Sequence, residues 1–125
     1  MFVYFNPNPS NQKVGDCVVR AISKATGNDW EKTYIDICCE GLKYYDMPSS
    51  NYVFGMYLNR NGFTMHPMQN ICPSCTTVER FSDEHDNGTF VLVCQNHVVA
   101  SVGGDYFDTW DSGNEIVLYY WQKEE

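Results

Sequence analysis

The sequence predicts one α+β domain, and three observations carry that prediction. Residues 16–59 read with helical periodicity, the stretch from Thr89 onward reads as short strands separated by turn residues, and the length of 125 residues suits one domain. A chain of this size buries roughly two thirds of its surface on folding, enough for a core without staples. Aromatic residues make up 15% of the chain, a bias that suits a strand-rich core.

Each element follows from local chemistry. Residues 1–15 read as irregular, because Asn6-Pro7-Asn8-Pro9-Ser10 is turn chemistry. A first helix is expected from about Asp16 to Thr26, with Val18, Ala21, Ile22 and Ala25 buried and Gly27 as its stop. Asn28 or Asp29 caps a second helix from Trp30 to about Tyr45, whose inward face is expected to be Trp30, Tyr34, Ile37, Cys38 and Leu42. A third helix spans Ser50 to Asn59, burying Val53, Met56, Tyr57 and Leu58. It ends at Asn61-Gly62, and Phe63 to Met68 suits a short strand. Thr76 or Thr77 with Glu79 opens a fourth helix reaching about His85. Phe90–Cys94, Val98–Val102, Tyr106–Trp110 and Glu115–Trp121 then read as an antiparallel meander, so N-terminal helices should pack on a C-terminal antiparallel sheet.

The formal charge of −8 argues against a nucleic-acid partner, since phosphate binding needs a basic patch. There is no run of about 18 apolar residues, so no membrane span is expected. Met1-Phe2-Val3-Tyr4-Phe5 lacks the basic and apolar regions of a secretory signal. Six cysteines in such a chain are expected as thiols in a reducing cytoplasm. Cys72-Pro73-Ser74-Cys75 has the spacing of half a zinc site. Cys38, Cys39, His66 and His85 do not complete it at a fitting spacing, so two loop thiols are preferred, with no metal or cofactor.

Cys17 is the residue that points to chemistry. It stands where Gly15-Asp16-Cys17-Val18 turns from loop into helix, and a helix N-terminus lowers a thiol's pKa. The plainer reading is a small buried hydrophobe, the usual fate of a lone cysteine. His97 opens a strand eighty residues later and would supply an imidazolium. A two-residue turn at Gly103-Gly104 puts Val102 opposite Asp105 and places Asp108 on the face of His97, as its diagonal neighbour. A three-residue loop would set Asp111 opposite His97 instead, so Asp111 is the alternative acid. Trp110 is expected to cover the His–Asp contact. An oxyanion donor comes from the Cys17 backbone N–H, and a second from the amide of Asn11 or Gln12 just upstream.

These segments resemble a small papain-like cysteine peptidase family common in phages and prophages. Gly15-Asp16-Cys17-Val18-Val19-Arg20-Ala21-Ile22 with Thr26-Gly27 and Trp30-Glu31 resembles its cysteine helix and next helix start. Asn96-His97-Val98-Val99-Ala100 resembles its histidine strand, and Tyr106-Phe107-Asp108-Thr109-Trp110-Asp111 its acid strand. Asp108-Thr109-Trp110 is similar to the Asn-Ser-Trp of papain. Asp16-Cys17 is similar to the Asp-Cys of bacteriocin-processing peptidases, where a Gln lies six residues upstream; here that position is Asn11. The resemblance implies a single papain-like domain over residues 1–125, with Cys17 as nucleophile, His97 as base and Asp108 as orienter. It implies a protein or peptide substrate and a peptidase, isopeptidase, deamidase or amidase reaction. The alternative is an inactive phage-encoded protein that blocks a host protein by occupancy.

Overall fold

A computed structural model describes residues 1–69 and 74–124. The described residues form an α+β fold with a mixed six-stranded sheet and four helices. In chain order these are β1 (Phe2–Tyr4), α1 (Cys17–Thr26), α2 (Trp30–Tyr44), α3 (Asn51–Arg60), β2 (Phe63–Pro67), α4 (Val78–Glu84), β3 (Thr89–Cys94), β4 (His97–Val102), β5 (Asp105–Asp108) and β6 (Tyr119–Lys123). The sheet order is β1-β5-β4-β3-β6-β2.

The sheet carries a core on each face. Val91, Val93, Val98 and Ala100 pack with Ala21, Ile22, Ile37, Val53 and Leu58 from α1, α2 and α3. Phe90, Leu92, Cys94 and Val99 pack with Val78 and Phe81 of α4. The unbroken apolar runs of β3 and β4 follow from this, because strands covered on both faces have no polar side to show. Among the described residues no helix is long and apolar enough to cross a membrane.

Local signals set several boundaries. Gly27 closes α1 in the left-handed region, at φ 80°, and its N–H returns to the Ser23 carbonyl. The Asp29 carboxylate caps α2 by accepting from the Lys32 N–H at 2.7 Å. Thr77, not Thr76, caps α4. Gly103 and Gly104 both have positive φ and join β4 to β5 as the two-residue turn, with Val102 opposite Asp105.

Four expectations are corrected. The sheet is not a C-terminal antiparallel meander: β3, β4 and β5 form one, but β6 crosses back to lie beside β3, and β2 adds at that edge. Residues 2–4 are not irregular but form β1, parallel to β5 in the register Phe2↔Tyr106 to Tyr4↔Asp108. A three-residue strand whose partner lies a hundred residues away leaves no local trace. Glu115 lies before the last strand, in a segment that instead receives the Val78 N–H. The face of α2 is also rotated from expectation. Thr33, Ile37, Glu40 and Gly41 are buried, while Tyr34 and Leu42 are exposed. Gly41 is inward because the following loop presses on it, so that a Cβ there would lie 2.6 Å from the Asp46 carbonyl oxygen. The inward Glu40 carboxylate is met by Arg60 of α3 at 2.8 Å.

Candidate active site

The site lies where the N-terminus of α1 meets the start of β4 and the end of β5. Cys17 is the first residue of α1, so its backbone N–H has no partner within the helix. His97 is the first residue of β4, held by the tight turn after Cys94, where Asn96 has φ 58°. Asp108 ends β5 and is fully buried. Its own backbone is pinned by β1, through the Phe5 N–H to the Asp108 carbonyl at 2.8 Å.

His97 Nε2 lies 2.6 Å from Asp108 Oδ2. An ionised carboxylate only accepts, so Nε2 carries the proton and Nδ1 is left for the Cys17 thiol, with which His97 also hydrogen-bonds. The Asp108 carboxylate has three further donors. Ser112 Oγ donates to Oδ2 at 2.6 Å, while Arg20 Nη2 and the Thr109 N–H each donate to Oδ1 at 2.8 Å. A carboxylate bonded on both oxygens cannot swing, so the ring it holds is fixed in one plane.

The electrostatics follow from these contacts. Burial works to raise the Cys17 thiol. The hydrogen bond to His97, one from the Val98 N–H, and the charges of His97 and Arg20 outweigh it, leaving the thiol below its ordinary value of 9.0. Burial works against the His97 imidazolium, but its bonds to Asp108 and Cys17 and their negative charges raise it to about 9. Burial works to raise Asp108, and the bonds from His97 and Ser112 overcome it, holding this acid below its ordinary value of 3.8. The three directions all favour the charged forms: thiolate, imidazolium and carboxylate. Cys94 shares the neighbourhood but is pushed up to about 12 by burial, then by Glu115, Asp108 and Cys17, so it stays a neutral thiol.

The structure brings together Cys17, His97 and Asp108. Asp111 lies elsewhere: its Oδ1 accepts from the Tyr106 hydroxyl at 2.6 Å and the Gly113 N–H at 3.0 Å. Trp110 does lie against His97, with ring centroids 4.8 Å apart, but it is 46% exposed and forms an outer wall. Asn11 and Gln12 sit exposed in the loop before α1, and among the described residues neither side chain hydrogen-bonds to the cluster. Cys75 lies in the loop before α4, while Cys72 falls outside the described residues. Among the described residues no group of three or more His, Cys, Asp or Glu side chains is arranged to hold a metal.

Arg20 is the site residue that sequence reading missed. It bridges two buried carboxylates, Asp16 one turn back on α1 and Asp108 on β5. Asp16 is in turn bonded by the indole of Trp30 at 2.9 Å, which ties the start of α2 to the start of α1. The available signal was the i, i+4 spacing of Asp16 and Arg20, with a lone cation set among Val18, Val19, Ala21 and Ile22.

Cys17, Asn96 and His97 line two open clefts. One, of about 290 Å³, is bounded by Ser49, Asn51 and Cys94; the other, of about 380 Å³, by Lys13, Gly15 and Trp110. Comparison with protein-family models, curated proteins and solved structures finds no match.

Proposed function

We propose that this chain is a thiol acyl-transfer hydrolase with a papain-like fold: a cysteine peptidase, or an isopeptidase, deamidase or amidase using the same chemistry. The observation that carries the reading is the linear array of Cys17 at a helix N-terminus, His97 beside it, and buried Asp108 at 2.6 Å from the far ring nitrogen. A buried cysteine kept for packing needs no imidazole, and a histidine kept for packing needs no carboxylate bonded by four donors.

In this mechanism the Cys17 thiolate attacks the acyl carbon, and the carbonyl oxygen takes the negative charge. The Cys17 backbone N–H is the donor available to that oxygen. Collapse breaks the bond to nitrogen, and the His97 imidazolium gives its Nδ1 proton to the leaving amine. Water, deprotonated by the now neutral His97, attacks the thioester, releases the acid and restores the Cys17–His97 pair. Asp108 stays ionised throughout and holds the ring.

The test is the rate of iodoacetamide alkylation at each cysteine from pH 4 to 9, read by mass spectrometry. Cys17 is expected to react fast below pH 7 in the wild type and to lose that reactivity in His97→Ala. A Cys17 that titrates as an ordinary thiol overturns the enzyme reading and leaves the occupancy role.

A further inference from the structure

The far end of α1 carries a concavity of its own. Lys24 lies seven residues on from Cys17, about 10 Å at the helical rise, and borders a depression of about 360 Å³. The depression runs between the C-terminal end of α1, the start of α2 and the segment after β1. It shares no lining residue with the two clefts at Cys17.

The polar side chains of its lining are committed, with one exception. Ser23 Oγ donates to the Asn28 carbonyl at 2.6 Å, and the Asn28 side chain hydrogen-bonds with the Tyr57 hydroxyl. Asp29 Oδ1 accepts the Lys32 N–H at 2.7 Å and caps α2. The exception is Lys24. Lys32, Lys43 and Arg80 each pair with a carboxylate, and Lys24 meets none among the described residues. Its ammonium instead lies 4.2 Å from the ring centroid of Phe107 and 5.5 Å from that of Phe5. These two rings stand edge to face, 84° apart. A lysine in the last turn of a helix complements the dipole while remaining free in water. The two rings hold this one in place, and its N–H groups keep their capacity to donate to an anion. A cation already positioned loses less freedom on pairing.

The other walls are apolar and rigid. The Trp30 indole is fixed by its N–H to Asp16 at 2.9 Å, and Tyr34 stacks on it at 5.0 Å with the planes 10° apart. Tyr34 stands outside this depression, so the opposite face of the indole is the one available to an occupant. Phe5 and Pro7 complete the apolar lining. Flat, fixed walls favour a flat apolar body, and the ammonium calls for a negative group at its edge.

We propose that this depression is a second ligand site, for a small carboxylic acid with an aromatic body, the carboxylate on Lys24 and the ring against Trp30 and Phe5. The site stands whether or not Cys17 is a nucleophile. Two sources offer this chemistry: a free aromatic acid, and the last residue of a peptide that ends in an aromatic residue.

The test is a titration of the wild-type chain followed by amide NMR shifts. The probes are indole-3-acetate, its uncharged twin indole-3-acetamide, and acetyl-Gly-Gly-Trp with a free carboxylate. Indole-3-acetate should bind about fivefold or more tightly than the amide, the upper end for an ion pair open to water. The shifts should centre on Lys24, Gly27 and Asn28. Lys24→Gln should bring acid and amide to equal affinity, and Lys24→Arg should keep the preference. Neither substitution should change iodoacetamide alkylation of Cys17. Saturating indole-3-acetate should likewise leave Cys17 open to iodoacetamide. Tighter binding of the tripeptide than of indole-3-acetate supports the site and identifies a peptide end as the source; weaker binding supports it and identifies the free acid. Absence of binding, equal affinity of acid and amide, a preference that survives Lys24→Gln, or shifts centred on Cys17 and His97 with protection of the thiol would overturn the proposal.

Discussion

Asp108 links two charges that would otherwise be separate problems. It holds the imidazolium of His97 through Oδ2 and the guanidinium of Arg20 through Oδ1, with Asp108 and Arg20 themselves buried. Asp108→Asn keeps the shape and removes the charge. The His97 titration, followed by imidazole nitrogen shifts, should then fall from about 9 toward 6.5. Alkylation of Cys17 below pH 7 should fall by about tenfold or more, since each unit of lost coupling is a factor of ten. Asp111→Asn should change neither, because the partners of Asp111 are Tyr106 and Gly113. The reverse pattern would return the acid role to Asp111. Arg20→Met tests the other arm. It leaves the buried carboxylates of Asp16 and Asp108 without their shared cation, and breaking such a pair costs about 3–5 kcal/mol. Urea unfolding should show that loss. A change below about 1 kcal/mol would mean that the pair is as weak as a surface bridge.

At the scale of elements, α1 and the β4–β5 hairpin were legible because their signals are local. Asp16 before Cys17 and Gly27 after Thr26 bound α1, and Gly103-Gly104 sets the pairing that puts Asp108, not Asp111, beside His97. What was not legible depends on distant partners. Nothing in Phe2-Val3-Tyr4 announces that β5 lies beside it, nor does Tyr119–Lys123 announce a return to β3. Arg20 was passed over because a cation on a helix is ordinarily solvated. Only the two carboxylates, one of them 88 residues away, explain its burial. The inward face of α2 was misread because hydrophobicity was weighed where fit decides, with Thr33 and Gly41 inward and Leu42 outward. The loop after β5 makes the same point. Ser112 and Gly113 are buried there, and a Cβ on Gly113 would stand 2.3 Å from the Tyr106 hydroxyl oxygen and 3.0 Å from Asp111 Oδ1. Gly113→Ala should therefore displace this loop and cost about 1–3 kcal/mol in urea unfolding, as overpacking does. Because Ser112 precedes it, Cys17 alkylation should slow as well. An unchanged stability would show that the loop yields freely.

At the scale of the whole molecule, the site makes folding depend on pH. His97 is raised from 6.5 to about 9 in the folded chain, so the stability it contributes is fully present below pH 6.5 and is lost as pH rises through about 9. Asp108 is lowered, so its contribution is present above pH 3.8 and is lost as pH falls through the still lower folded value. Cys17 is lowered too. Its contribution grows as pH rises toward 9.0 and opposes that of His97 over the same window. Removing the thiol separates the two. In Cys17→Ser, Asp108 still holds the imidazolium, so urea-derived stability should decline between pH 6.5 and 9 by an amount bounded by about 3 kcal/mol, the full shift of His97 in free-energy terms. The double variant Cys17→Ser, His97→Gln has no imidazole to deprotonate and should lack that decline. Parallel curves for the two proteins would mean that Asp108 does not raise His97 above its ordinary value of 6.5. A His97 left at that value would be a weaker positive neighbour for the Cys17 thiolate at pH 7. The stability curve of Cys17→Ser therefore reports the His97 proton and the wild-type alkylation curve the Cys17 proton, so the first should bend toward about pH 9 and the second at a lower pH, with the ion pair spanning the interval between them.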